Sequence, residues 1–315
     1  MPISFGNLSF KGLNFEFMWK QLLEEISKGN TRSLARAITL VENEYAGYEE
    51  FLQMLSAKGT PVIGVTGPPG AGKSTLVDAL IELLVKDGKK VAVLCVDPTS
   101  PFNFGAILGD RIRMSKWYNH PDVFIRSLAT KGSHGGLHPK IIEITDVVKM
   151  FPFDYILVET VGVGQNEVEI AGLADTTIVV VVPEAGDEVQ TMKAGLMEIA
   201  DIFVVNKADR PDADAFVKNL RMMLAPSSTN NQQETPIVKT IASEQKGIDE
   251  LLQYILADQK QNKQSERKYW LLAEKAHYLI QNKRMKDVSK KELEQKIKTF
   301  VDAGNFNLYQ FIKEL

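Results

Sequence analysis

Val62-Ile63-Gly64-Val65-Thr66-Gly67-Pro68-Pro69-Gly70-Ala71-Gly72-Lys73-Ser74 is an apolar, β-branched run that breaks into a glycine-rich octapeptide closed by a lysine and a hydroxyl. Leu76, Leu80, Leu83 and Leu84 follow at helical spacing, so the octapeptide sits between a strand and a helix. This is G-x-x-x-x-G-K-[ST] in the context it requires. The glycines let main-chain N–H groups face inward around a polyphosphate, and the helix N-terminus adds about half a positive elementary charge. Gly67, Pro68, Pro69, Gly70, Ala71, Gly72, Lys73, Ser74 and Thr75 are the expected phosphate-binding residues. Lys73 is expected to reach the β- and γ-phosphates, and the Ser74 hydroxyl to be a Mg²⁺ ligand.

Outward from this loop, short β-rich runs alternate with helical patterns. The runs are Val62–Thr66, Val91–Val96, Val123–Leu128, Tyr155–Val158, Thr177–Val182, Ile202–Val205 and Ile237–Ile241. Several are apolar at successive positions, as strands buried on both faces should be. Helical patterns are expected at 73–87, 138–150, 166–174, 188–200, 212–224 and 247–257. The alternation implies an α/β fold, a P-loop NTPase with a doubly wound, mostly parallel sheet.

Helical extensions flank this region. Phe15, Met18, Trp19, Leu22 and Ile26 recur at helical spacing, with further periods at Leu34, Ile38, Val41 and at Tyr48, Leu52, Leu55. Gly59-Thr60-Pro61 punctuates the change. Gln259–Lys268 reads as a polar linker, followed by helical stretches around 265–286, 289–303 and 305–314. The reading is therefore an N-terminal helical extension (1–58), a nucleotide-binding domain (59–258) and a C-terminal helical arm (259–315). Trp270, Leu271, Ala273, His277, Tyr278 and Ile280 form a broad stripe on the first C-terminal helix. It suits packing on the main domain or on a neighbouring helix, or a dimer contact.

The base is read from Asn206-Lys207-Ala208-Asp209, which follows Ile202–Val205. A carboxylate at Asp209 can accept from guanine N1–H and N2–H₂. Adenine offers no such pair and would leave the carboxylate unpaired, at about 1–3 kcal/mol. Asn206 and Lys207 brace the loop and cover the base plane. A main-chain N–H in Thr240-Ile241-Ala242-Ser243, assigned to Ala242, is placed to meet guanine O6.

Asp97 ends one run and Glu159 another, where ligands of an open α/β sheet gather. Mg²⁺ takes oxygen ligands and keeps waters, so one or two carboxylates suffice. Asp110, in Gly109-Asp110-Arg111, is a third candidate. Gly162 resembles the glycine whose N–H senses a γ-phosphate, which makes 159–167 a switch. Val163 stands where many small GTPases have a water-orienting glutamine, and Gln165 is displaced by two positions. Slow intrinsic hydrolysis, accelerated by a partner that orders the loops, is the expectation.

Composition bounds the rest. The formal net charge of -3 argues against nucleic-acid binding. A single cysteine, Cys95, lies in an apolar run, which excludes an intramolecular disulfide and fits a reducing compartment. No apolar stretch approaches the ~20 residues of a membrane span, and no leader pattern opens the chain. A soluble, cytoplasmic protein is expected. His120, His134, His138 and His277 form no zinc-ligand cluster with cysteine.

Taken together, these motifs resemble the MeaB/ArgK/MMAA family of P-loop GTPases, chaperones for adenosylcobalamin-dependent acyl-CoA mutases. The likeness runs through Gly29–Glu42, Val96–Pro101, Ile107–Met114, Glu159–Gln165, Glu184–Gln190 and Met197–Asp201. It implies a GTPase that binds GTP and GDP with Mg²⁺ and gates cobalamin loading and protection of methylmalonyl-CoA mutase or a relative. It implies Asp97, Asp110 and Glu159 as the metal-site acids, and a third switch over 182–193 working through Asp187, Gln190 and Lys193. A homodimer through the C-terminal helices and a cobalamin adenosyltransferase partner are also implied. Three departures stand out: Glu184 replaces a glycine, His134 interrupts Gly132–Gly136, and Ile241-Ala242-Ser243 replaces Ser-Ala-Leu. A metal-insertion GTPase and a transport-linked kinase are the alternatives. The first should show a Cys/His metal site, and this chain has none.

Overall fold

The computed structural model describes residues 15–56, 59–97, 114–130, 137–161, 169–184, 194–224, 235–262, 267–285, 287–302, 304 and 306–313. Strands β1 (Val62–Thr66), β2 (Val91–Asp97), β3 (Val123–Ala129), β4 (Tyr155–Glu159), β5 (Thr176–Val181), β6 (Ile202–Val205) and β7 (Ile237–Lys239) form one sheet in the order β3-β2-β4-β1-β5-β6-β7. Every pairing is parallel. β1, β2, β5 and β6 are buried along their whole length, as expected where helices cover both faces.

The N-terminal helices are α1 (Phe15–Ser27), α2 (Thr31–Glu42) and α3 (Tyr48–Gln53); α4 (Lys73–Lys86) and α5 (Ile141–Lys149) follow. Next come α6 (Glu169–Leu173), α7 (Ala194–Ile199), α8 (Ala213–Leu224) and α9 (Ile248–Asn262). Leu76, Leu80 and Leu84 of α4 pack with Ile63, Val65, Val93, Leu157, Ile178 and Val204 of the sheet. Asn30 caps α2, its side chain accepting from Arg32 N and Ser33 N, the cap geometry that a helix start needs. Trp19 of α1 stacks on Phe51 of α3, with ring centroids 4.4 Å apart.

All seven expected strands are present, β1 and β6 with the expected ends and the other five with shifted ones. β7 stops at Lys239, and Ile241 instead pairs antiparallel with Lys246. The expected linker at 259–268 is corrected: α9 continues through Asn262, and the next helix starts at Arg267. Gln and Lys are good helix formers, so the polar residues 259–262 extend α9.

A partly buried charge cluster fastens α2 and α3 to β3 and α5. Arg126 donates to Glu42 Oε2 at 2.9 Å, and His138 Nε2 stands 3.6 Å from Glu42 Oε1. His138 Nδ1 accepts from Lys140 N–H at 3.0 Å, which puts the ring proton on the side of Glu42. Lys140 lies 2.9 Å from Glu44, 3.3 Å from Glu143, and over the Tyr48 ring. Burial lowers the Lys140 pKa, but the Glu44 and Glu143 carboxylates outweigh it, and the net shift is upward.

The chain divides into two compact units, with the boundary between Lys268 and Tyr269. The second contains most of α10 (Arg267–Arg284), then α11 (Lys290–Asp302) and α12 (Leu308–Lys313). Its small core centres on Phe311, which meets Phe300 at 5.6 Å and Phe306 at 6.0 Å. Leu272, Ile280, Phe300, Val301, Tyr309 and Ile312 are exposed. In the expected stripe, Ala273, His277 and Ile280 are exposed and Tyr278 is half-buried; the side chains of Trp270 and Leu271 lie outside the described residues.

Glu42→Ala leaves the Arg126 guanidinium without its carboxylate. We expect a loss of about 2 kcal/mol in urea unfolding, with GDP affinity unchanged.

Candidate nucleotide-binding site

The P-loop occupies the turn between β1 and α4, at the carboxyl edge of the sheet. Its glycines are dictated by space as much as by flexibility. Gly67 has φ +137° and a Cβ there would lie 2.1 Å from Val180 O; Gly72 has φ +89° and its Cβ would lie 2.3 Å from Asn206 Nδ2. Any side chain at either position would push the loop off β5 or off Asn206. Lys73 and Ser74 open α4 and are buried, whereas Thr75 is exposed. The Lys73 ammonium donates to Gly67 O at 2.8 Å and to Pro68 O at 3.1 Å, so it arches back over the loop. Pro69 and Gly70 form the exposed rim, and Ala71 is buried.

Asn206 follows β6 and is 3% exposed. Its Nδ2 donates to Ala71 O at 2.9 Å, while its Oδ1 accepts from Thr240 Oγ1 and from Ala242 N–H, both at 3.1 Å. One amide therefore joins the P-loop, the β6 end and the loop after β7. Lys207 stands at φ +57°, a left-handed conformation that costs a non-glycine residue about 1–2 kcal/mol. Its Nζ donates to Gly70 O at 2.7 Å, which ties the loop after β6 to the P-loop. Asp209 follows with its side chain exposed at this rim. The Ala242 N–H, assigned from sequence to guanine O6, donates to Asn206 here.

Asp97 closes β2 and Glu159 closes β4, side by side in the sheet: Cys95, two residues before Asp97, is the register partner of Glu159. Both carboxylates are buried, at 5% and 3% exposure. The Ser74 hydroxyl donates to Glu159 Oε1 at 2.6 Å. Among the described residues, Ser74, Asp97 and Glu159 thus offer a hydroxyl and two carboxylates, all oxygen donors. Such a set fits a hard cation that also takes phosphate oxygens and water, as Mg²⁺ does. Among the described residues no group of three or more His, Cys, Asp or Glu gathers as a metal site. Asp110, Gly162, Gln165, Asp187, Gln190 and Lys193 lie outside the described residues.

Sequence reasoning missed one contact at this edge. Thr66 Oγ1 and Thr160 Oγ1 are hydrogen-bonded at 2.9 Å, both buried. Each threonine adjoins a recognised motif, but the pair meets only because β1 and β4 are neighbours, 94 positions apart.

The family described as Methylmalonyl Co-A mutase-associated GTPase MeaB matches residues 34–298. The chain belongs to the MeaB family of GTPases. A Pyrococcus abyssi protein provisionally named as a GTPase is 45% identical over 291 residues, covering 91% of this chain and 85% of that one. The fused isobutyryl-CoA mutase of Geobacillus kaustophilus is 35% identical over 237 residues, 70% of this chain but 22% of that protein. A crystal structure of a LAO/AO transport system kinase superposes with a TM-score of 0.65 at 25% identity, covering 95% of this chain and 96% of that one. As a MeaB-family GTPase the protein binds guanine nucleotide and hydrolyses GTP.

Lys73→Ala removes the buried ammonium that faces the phosphate loop. GDP binding by calorimetry is expected to weaken about 10- to 100-fold, the value of a charge-assisted contact.

Proposed function

We propose that this GTPase serves an adenosylcobalamin-dependent acyl-CoA mutase, gating cofactor loading and protecting the loaded enzyme according to its nucleotide state. The observation that carries this is the fused isobutyryl-CoA mutase, in which a segment like 70% of this chain forms part of a mutase polypeptide. The family's description as mutase-associated supports it. A device fused to its client in one protein and separate in another is expected to engage that client through a direct surface.

At the nucleotide site, Asn206 and Lys207 hold the P-loop while the exposed Asp209 carboxylate selects guanine. Mg²⁺, when bound, neutralises phosphate charge, with Ser74, Asp97, Glu159 and Asp110 as its holders. Gly162, Gln165, Asp187, Gln190 and Lys193 are the proposed switch residues that transmit γ-phosphate loss to the partner. A homodimer is proposed through the second unit, whose exposed Leu272, Ile280, Val301 and Ile312 present apolar area to a second copy. A cobalamin adenosyltransferase as a further partner and a cytoplasmic location complete the reading. Among the described residues no helix is long and apolar enough to cross a membrane.

The kinase name of the superposable structure favours one second reading, phosphate transfer to an acceptor protein. γ-Labelled GTP distinguishes the two: free phosphate is expected, and label on protein would favour the kinase.

The direct test is capture of a purified acyl-CoA mutase by the tagged GTPase, expected to differ with GDP and with a non-hydrolysable GTP analogue. Equal or absent capture in both states would sink the chaperone reading. For the base, Asp209→Ala is expected to reduce the preference for GDP over ADP about 10- to 100-fold in competition binding.

A further inference from the structure

Thr66 is the last residue of β1 and Thr160 the first after β4. Each therefore sits one position from a working group: Thr66 precedes Gly67 of the P-loop, and Thr160 follows Glu159. Their hydroxyls meet at 2.9 Å with the side chains 0% and 4% exposed. The main chain continues the same contact, because Thr160 N–H donates to Val65 O at 3.1 Å and Val65 is the register partner of Glu159. On the other side of Glu159, the Ser74 hydroxyl donates to its Oε1 at 2.6 Å. Glu159 is thus held between two ties, one to its carboxylate from α4 and one to the next residue from the end of β1.

The second tie is a side-chain bond at the point where the β1–β4 ladder ends. Past it, the direction of the chain leaving Glu159 is set by Thr160 and its partner. A cation shared by Ser74, Asp97 and Glu159 needs its oxygens at defined distances, so small movements of the Glu159 backbone are felt in metal affinity. Groups that orient a ligand without touching the metal commonly alter its affinity about 10- to 100-fold.

We propose that the Thr66–Thr160 hydroxyl pair positions Glu159 against Ser74 and so sets the affinity of the magnesium–nucleotide site. Neither threonine is a catalytic residue; both act through Glu159. The proposal rests on the magnesium reading of that cluster.

Calorimetry of GDP binding with and without Mg²⁺ tests it. The readout is the factor by which Mg²⁺ tightens GDP. In Thr66→Val and Thr160→Val this factor is expected to fall about tenfold, while GDP affinity in chelator stays within about twofold of the unsubstituted protein. Thr66→Ser and Thr160→Ser, which keep the hydroxyls, are expected to retain it. The double valine variant removes both hydroxyls without orphaning either. It is expected to match the single variants, and it carries the test if those fail to fold. An unchanged Mg²⁺ factor in the valine variants, or equal weakening with and without Mg²⁺, would overturn the proposal. A natural-sequence protein that bound GDP equally in both conditions would overturn the magnesium reading itself, and the pair's role with it.

Discussion

The side-chain amide of Asn206 joins three loops that are distant in sequence. Its donor holds Ala71 O of the P-loop, and its acceptor takes Thr240 Oγ1 and Ala242 N–H. The amide is buried, so each bond forms where water does not compete and an unmet group would be costly. Gly72 is a glycine because Asn206 Nδ2 occupies the space a Cβ would need. Lys207 takes its left-handed conformation beside this amide and reaches Gly70 O. The P-loop and the loop after β6 are therefore one connected object, and displacement of either would propagate to the other.

The sheet supplies the second constraint. Parallel strands in the order β3-β2-β4-β1-β5-β6-β7 bring their carboxyl ends to one edge. That edge carries Asp97, Glu159, Gly67 and Asn206, each at or just past a strand end. Register then sets the fine geometry: Val65 opposite Glu159 places the acid beside the base of the P-loop, and Ser74 reaches it from the first turn of α4. The N-terminal helices join the same unit through Glu42, Arg126, His138 and Lys140, between the middle of β3 and the start of α5.

Much of this was legible without coordinates. Gly67–Ser74 and Asn206–Asp209 are local motifs whose residue types answer a local chemical need, so a short window suffices to read them. The central strands β1, β2, β5 and β6 were legible because burial along their whole length favours continuous apolar runs. Boundaries were less so: Ile241 looks like strand, but its partner Lys246 lies five residues ahead, and pairing there belongs to a tight loop. Residues 259–262 look like the start of a linker because they are polar, yet they form the last turn of α9, since polarity alone does not stop a helix.

By itself the sequence determined the fold class, the glycine-rich loop between β1 and α4, and the acids Asp97 and Glu159 at strand ends, since each depends on residue type and near-neighbour spacing. Only the tertiary structure decided that Ala242 N–H serves Asn206, that Thr66 meets Thr160, and that Glu42 sits between Arg126 and His138. Those contacts depend on strand order and on how far each side chain reaches across a crossover. Neither quantity is encoded in a window of adjacent residues; both emerge when the buried strands choose their neighbours.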